Sequence, residues 1–269
     1  MPRNNVKLGQ NFLVDDYVVA KIVEQVKLDS NYNLVEIGPG RGAITLPLVE
    51  LGYQFTAIEL DSTLLKSLQS KVLGVDFIHS DAMHVDLKDI YNKQYSKKLF
   101  VFGNLPYQIA SILMLRMRLY EHITAKMLFM VQKEVADRLT AQPKTAAYGR
   151  LTVMVQSWCK VVQLFDVSPD SFNPPPKVNS AVFVAYPESR DSTKNLNWLF
   201  FEKIVAKSFC HKRKMLYSTF KSCLAKDEWQ NLELCDSARP SDLSVEDYIN
   251  LTLYLQKKNE NDVLIALKA

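Results

Sequence analysis

Val35-Glu36-Ile37-Gly38-Pro39-Gly40-Arg41-Gly42 is a short apolar run that ends in glycines, and an amphipathic stretch over 43–51 follows at once. Strand, tight turn and helix in that order form the first half of a β-α-β unit. Glycines in such a turn let a ligand approach the main chain closely, which makes Gly38 and Gly40 candidate cofactor-binding positions. The pattern repeats outward in both directions. Apolar runs at 34–37, 55–60, 76–79, 99–102, 126–131, 161–167 and 178–186 predict strands, and amphipathic stretches at 17–26, 43–51, 63–72 and 109–120 predict helices between the early ones. Strand-helix alternation argues for a parallel, doubly wound α/β sheet. The last two strands are joined by 168–177 without an obvious helix, so an antiparallel edge pair is expected there.

The chain has 269 residues, enough for one or two domains. Composition shifts at Pro187, after which a polar stretch runs to Asn195 and no strand signal survives. Helices are expected at 198–209, 214–224, 228–234 and 245–257, the last opened by Ser244 with Asp247 three residues on, an N-cap arrangement. The expected division is therefore a sheet domain over 1–190 and a small all-helical domain over 191–269.

Hydrophobic residues make up 48% and charged residues 23%, ordinary values for a globular chain. A net charge of +4 tolerates a nucleic-acid partner without requiring one. The four cysteines are scattered with no CxxC pair, as in a reduced cytosolic protein, and the four histidines have no ligand spacing, so no metal is expected. The N-terminus is polar, and no apolar run approaches the ~20 residues that span a bilayer. These features predict a cytoplasmic protein without a membrane partner, and the lack of an evident apolar seam predicts a monomer.

The chemistry gathers at the carboxyl ends of the strands, where open α/β sheets bind ligands. Glu59 lies 21 residues after Gly38, at the end of the second strand, placed to accept both ribose hydroxyls. Glycine loop and acid together do not separate a dinucleotide from another nucleoside cofactor. Three details favour S-adenosyl-L-methionine over NAD. Ala43 stands where the dinucleotide fingerprint wants its third glycine, although alanine is tolerated there. Asp81, after the third strand, can accept from a cofactor adenine amino group. The fourth strand delivers Gly103-Asn104-Leu105-Pro106-Tyr107, a loop with no role in hydride transfer. Its amide, φ-locked proline and aromatic ring suit an adenine held for attack on its amino nitrogen: Asn104 and the Leu105 carbonyl accept the amino hydrogens, Pro106 fixes the turn, Tyr107 stacks on the base and Phe172 supplies a second ring. Singly, each has a plainer reading. Asp81 suits a turn, Glu36 a structural acceptor and Tyr107 a core ring. Four separate loops with matching chemistry shift the balance.

The chain resembles the KsgA family of small-subunit ribosomal RNA adenine dimethyltransferases. The resemblance is carried by Gly9-Gln10-Asn11-Phe12-Leu13, Glu36 to Gly42, Glu59-Leu60-Asp61, Asp81-Ala82, Gly103 to Tyr107, Tyr148-Gly149-Arg150-Leu151 and Phe172-Asn173-Pro174-Pro175-Pro176-Lys177-Val178. It implies a Rossmann-like class I methyltransferase sheet, mostly parallel with an antiparallel edge strand, and cofactor contacts at Asn11, Leu13, Gly38, Glu59, Asp81 and Asn104. It further implies dimethylation of two adjacent adenosines in a loop near the 3′ end of 16S rRNA, within an immature 30S subunit, with a role in ribosome biogenesis. The competing readings are an Erm-like enzyme of large-subunit rRNA, a DNA adenine methylase, and an assembly factor whose main role is binding pre-30S particles.

RNA contact calls for positive charge. Six Lys/Arg and no acid lie between Lys203 and Lys221. Lys207, Lys212, Arg213, Lys214 and Lys221 are the expected contacts, with a plain solvated face as the alternative. On an unbroken helix Lys207, Lys214 and Lys221 would share a stripe, although a break near His211 is foreseeable. Arg116, Arg118, Lys133, Arg138 and Lys144 are weaker candidates. Lys212 stands where the family usually has arginine, which keeps the charge and loses the bidentate fork.

Overall fold

A computed structural model describes residues 11–27, 31–93, 97–106, 109–258 and 260–267. In chain order its elements begin with β1 (Phe12–Leu13), α1 (Asp16–Lys27), β2 (Asn33–Ile37), α2 (Thr45–Glu50), β3 (Phe55–Glu59), α3 (Ser62–Gln69), β4 (Val75–His79), α4 (Leu87–Lys93) and β5 (Leu99–Asn104). They continue with α5 (Ala110–Met117), β6 (Thr124–Gln132), α6 (Lys133–Thr140), α7 (Arg150–Gln156), β7 (Cys159–Val167), β8 (Phe172–Asn173) and β9 (Ser180–Pro187). The C-terminal helices are α8 (Trp198–Phe209), α9 (Tyr217–Phe220), α10 (Lys226–Asn231), α11 (Val245–Lys257) and α12 (Glu260–Ala266).

Seven strands form one sheet in the order β4-β3-β2-β5-β6-β9-β7. The pairs β4/β3, β3/β2, β2/β5 and β5/β6 are parallel, and β9 runs antiparallel to β6. The order turns around between β2 and β5, the crevice where an open α/β sheet places its ligand. All seven expected strands form. The antiparallel strand inserts one place in from the edge, so β7 is the outer strand of the expected pair.

A parallel sheet needs cover on both faces. In the central β5 every residue from Leu99 to Phe102 is buried. On one face, alternate residues of five strands (Leu34; Phe55 and Ala57; Phe100 and Phe102; Leu128 and Met130; Val182 and Val184) form a single cluster with Val18, Ile22, Val23 and Val26 of α1. Lys126 is the one cation among the buried strand residues described. Its Nζ donates to Gln25 O in the last turn of α1 at 3.2 Å and lies 4.2 Å from the centre of the Phe100 ring. Helix-terminal carbonyl and aromatic face together compensate the buried charge.

The chain divides into two compact units, residues up to 136 with 162–187, and 137–161 with 188–269. The C-terminal boundary falls in the polar stretch after Pro187. The segment 137–161 differs from the sequence reading: it groups with the helical tail instead of the sheet. Contacts explain why. Tyr148, fully buried, lies 6.3 Å ring to ring from Phe209, which stacks on Tyr248 at 5.7 Å. Lys144 N donates to Ser241 O at 2.7 Å, and Arg150 pairs with Glu202 at 2.7 Å. Within this unit α8 and α11 occupy the predicted ranges. Ser244 Oγ accepts from Asp247 N at 3.1 Å while Asp247 Oδ2 accepts from Ser244 N at 2.8 Å, a reciprocal cap on α11.

Candidate active site

β2 runs into a turn in which Gly38 has φ +69°, a value that a side chain would strain. Gly38 N donates to Ile58 O at 2.9 Å, which seats the turn on β3. Glu59, buried at the end of β3, accepts from Gly40 N at 3.0 Å through Oε2 and from Asp61 N at 2.9 Å through Oε1. One carboxylate thus ties two loops together and keeps remaining lone pairs for a ligand. After β4, Asp81 Oδ1 accepts from Met83 N at 2.8 Å. That is the turn role foreseen for it, yet Asp81 also lines the cavity between these loops.

β5 passes so close to β2 that a Cβ built on Gly103 would lie 2.2 Å from Ile37 O. Only glycine fits. This close approach brings Asn104 to the mouth of the switch point. Leu105 N donates to Met130 O at 3.0 Å, extending the loop along β6 with the Leu105 side chain buried. Pro106 is exposed at the rim. Tyr107 lies outside the described residues.

These loops enclose a cavity of about 270 Å³, lined among others by Asn11, Leu13, Gly38, Gly40, Glu59, Asp81, Asn104, Leu105, Pro106 and Phe172. Every predicted cofactor position is among them, together with Asn104, Leu105 and Pro106 of the adenine loop. Its apolar wall includes Ile37, Ile58, Leu60 and Ile109. A flat nucleoside with a polar tail fits such a set: a glycine turn that admits close approach, a buried carboxylate at a strand end, a second carboxylate beyond it and apolar surface between.

Glu36 sits in the floor, almost wholly buried, and accepts from Thr45 Oγ1 at 2.6 Å. Burial drives its pKa up to about 8, opposed by the Thr45 hydrogen bond and aided by repulsion from Glu59. The floor acid is therefore largely neutral at pH 7, in keeping with a structural acceptor.

Phe12 and Arg41 also line the cavity, and the sequence motifs give neither a role. The Arg41 guanidinium lies 4.1 Å from the centre of the Phe12 ring, and that ring lies 3.5 Å from where a Gly40 Cβ would stand. They close the cavity from the side of the N-terminal arm, residues 11–15 ahead of α1. Neither residue type signals this by itself; an arginine beside a glycine turn and an aromatic in a polar arm are the only traces.

The basic residues lie in the helical unit. α8 ends at Phe209, turns follow, and α9 spans four residues, so no continuous stripe joins Lys207, Lys214 and Lys221. Lys207 is half-buried and donates to the Leu267 carbonyl, which corrects its reading as part of an exposed row. Lys212, Arg213, Lys214 and Lys221 are exposed.

Among the described residues no helix is long and apolar enough to cross a membrane. Ribosomal RNA adenine dimethylases match the chain over residues 1–257. Proteins named ribosomal RNA small subunit methyltransferase A are similar at 41% identity, one from Xylella fastidiosa over 90% of this chain and 92% of its own length, another from Aliivibrio fischeri over 93% and 92%. A dimethyladenosine transferase structure from Plasmodium falciparum covers 92% of this chain and 98% of its own, at 25% identity and a TM-score of 0.76. The 23S rRNA methyltransferase ErmE shares the fold at a TM-score of 0.68 and 22% identity, over 91% of this chain and 100% of its own. On the length and level of these matches the chain belongs to the ribosomal RNA adenine dimethylase family and is an S-adenosylmethionine-dependent methyltransferase of ribosomal RNA.

Proposed function

We propose that this chain dimethylates two adjacent adenosines in a loop near the 3′ end of 16S rRNA, acting on an immature 30S subunit as a cytoplasmic monomer. The observation that carries the reading is the arrival of Asn104 in the same cavity as Gly38, Glu59 and Asp81. The relatives named for the small subunit, similar over more than nine-tenths of their own length, favour that substrate over a large-subunit one.

In this reading Glu59 accepts from the cofactor ribose, Asp81 from its adenine amino group, and the glycine turn carrying Gly38 and Gly40 admits its methionine part. Asn11 and Leu13 cover it from the arm. S-adenosylmethionine supplies a methyl group already activated on a sulfonium. The task left to the protein is the target amine, whose lone pair is delocalised into the adenine ring. Asn104 Oδ1 and the Leu105 carbonyl accept its two hydrogens, which favours a pyramidal nitrogen with its lone pair directed at the methyl group. Asn104 is suited to this, because it lines the cavity together with Gly38, Glu59 and Asp81. Pro106 keeps a competing N–H out of the turn. Tyr107 and Phe172 hold the base between two rings, once it is flipped out of its stack. As the N–C bond forms and the C–S bond breaks, the N–H hydrogens held by Asn104 Oδ1 and the Leu105 carbonyl become acidic, and one leaves past them to water, because amide oxygens are too weakly basic to keep it. No strong base is needed, and positioning supplies the acceleration. Lys212, Arg213, Lys214 and Lys221, exposed in the helical unit, contact the RNA backbone.

Tritiated S-adenosylmethionine offered with undermethylated 30S particles, 50S precursors or DNA tests the substrate. Label in the 30S RNA is expected. Label confined to 50S RNA or DNA would overturn the proposal.

A further inference from the structure

The arm and the proline-rich loop are joined by more than a short ladder. β1 and β8 pair antiparallel, with Leu13 opposite Phe172 and Phe12 opposite Asn173. Two residues a side are too few to hold a register unaided. Next to the ladder Val14 N donates to Ser171 O at 2.9 Å, and the buried Ser171 Oγ donates to Asp15 Oδ2 at 2.8 Å. The other oxygen of Asp15 accepts from Tyr17 N at 3.0 Å and Val18 N at 3.2 Å, capping α1. One carboxylate therefore fixes the start of α1, the arm and the 3-10 turn Pro169–Ser171 to each other.

We infer that Asp15 and Ser171 are positioning residues that form a latch, coupling the binding of cofactor to the binding of the target adenine. The inference rests on the proposed roles of Leu13 on the cofactor side and Phe172 on the base side. These two residues line one cavity and face each other across the ladder, so neither can be placed without the other. Cofactor that orders the arm also sets Phe172 for the base, and by linkage the base strengthens the hold on cofactor by the same factor. The hydrogen bonds from Ser171 and the Val18 N–H hold the Asp15 carboxyl below the usual carboxylate range.

Equilibrium dialysis of tritiated S-adenosylhomocysteine, with and without undermethylated 30S particles, measures the coupling. The wild-type chain is expected to bind the nucleoside at least about fivefold more tightly with the particle present. Ser171→Ala should reduce that ratio to within about twofold. Asp15→Ser, which keeps a capping oxygen for α1 but is too short to reach Ser171 as well, should do the same. The double variant should match the singles, because all three break one bond. A residue that merely stabilises the fold would shift the melting temperature and leave the ratio intact. Wild-type coupling retained in both single variants, or absent from the wild type, would overturn the latch alone. A wild-type chain that does not bind the nucleoside would overturn the reading of the cavity beneath it.

Discussion

Three residues carry chemistry that single substitutions can isolate. Asn104→Ala removes the acceptor proposed to orient the target amine. Turnover is expected to fall by about 10²-fold or more, the scale for losing one aligned polar group at a reacting centre. Equilibrium dialysis should show S-adenosylhomocysteine still bound; near-normal turnover with cofactor bound would remove Asn104 from its role. Gly103→Ala drives a methyl group into Ile37 O, 2.2 Å from where its Cβ must lie. Destabilisation of about 3 kcal/mol or more, read by thermal denaturation, is expected from forcing β5 away from β2. Glu36 gives a pH signature. Its folded pKa is raised to about 8 from an ordinary 4.5, so the folded chain binds more protons than the unfolded one between those values. Stability from this group is complete below pH 4.5 and is lost as pH rises toward 8. Glu36→Gln, which keeps an acceptor for Thr45, should flatten that slope and exceed the wild type in denaturant resistance at about pH 8, with the gap closing near about pH 5. Parallel profiles would show that Glu36 does not titrate in this window.

At the scale of elements, the long strands were legible because a buried parallel strand demands a continuous apolar run, and residues such as Leu99 to Phe102 can serve no surface role. The cap on α11 was legible because Ser244 and Asp247 act locally. The short helices α4, α6, α7 and α12 gave no sufficient signal. Each is a turn or two that tertiary packing stabilises, and Tyr148 shows how: its ring has no partner near in sequence and finds Phe209, which stacks on Tyr248. For the same reason 137–161 carried no mark of belonging with the tail. No basic row forms, because α8 stops at Phe209; Lys207, within α8, donates to the Leu267 carbonyl. The remaining exposed cluster makes its own prediction. Replacing Lys212, Arg213 and Lys214 with glutamine should weaken 30S binding and lower the slope of log affinity against log salt by roughly 2, at about 0.7 for each single-strand phosphate no longer neutralised. A filter-binding titration over salt checks this, and an unchanged slope would take the cluster out of the interface.

For the molecule as a whole, four loops from separate strands deliver glycine, carboxylate, carboxylate and amide to one cavity at the switch point of the sheet. The sequence order of those residues was readable, since each closes a strand. The strapping of the arm across them was not, because it depends on Asp15 meeting Ser171 across 156 residues of chain. In the proposed function this cavity presents an adenine amine in 16S rRNA to the cofactor methyl group twice. Its most direct test is nucleoside analysis by mass spectrometry of 16S rRNA from undermethylated 30S particles incubated with this chain and S-adenosylmethionine. N6,N6-dimethyladenosine should accumulate, and the Asn104→Ala chain should produce little of it. Methyl groups found on another nucleoside, or none on adenosine, would contradict the account.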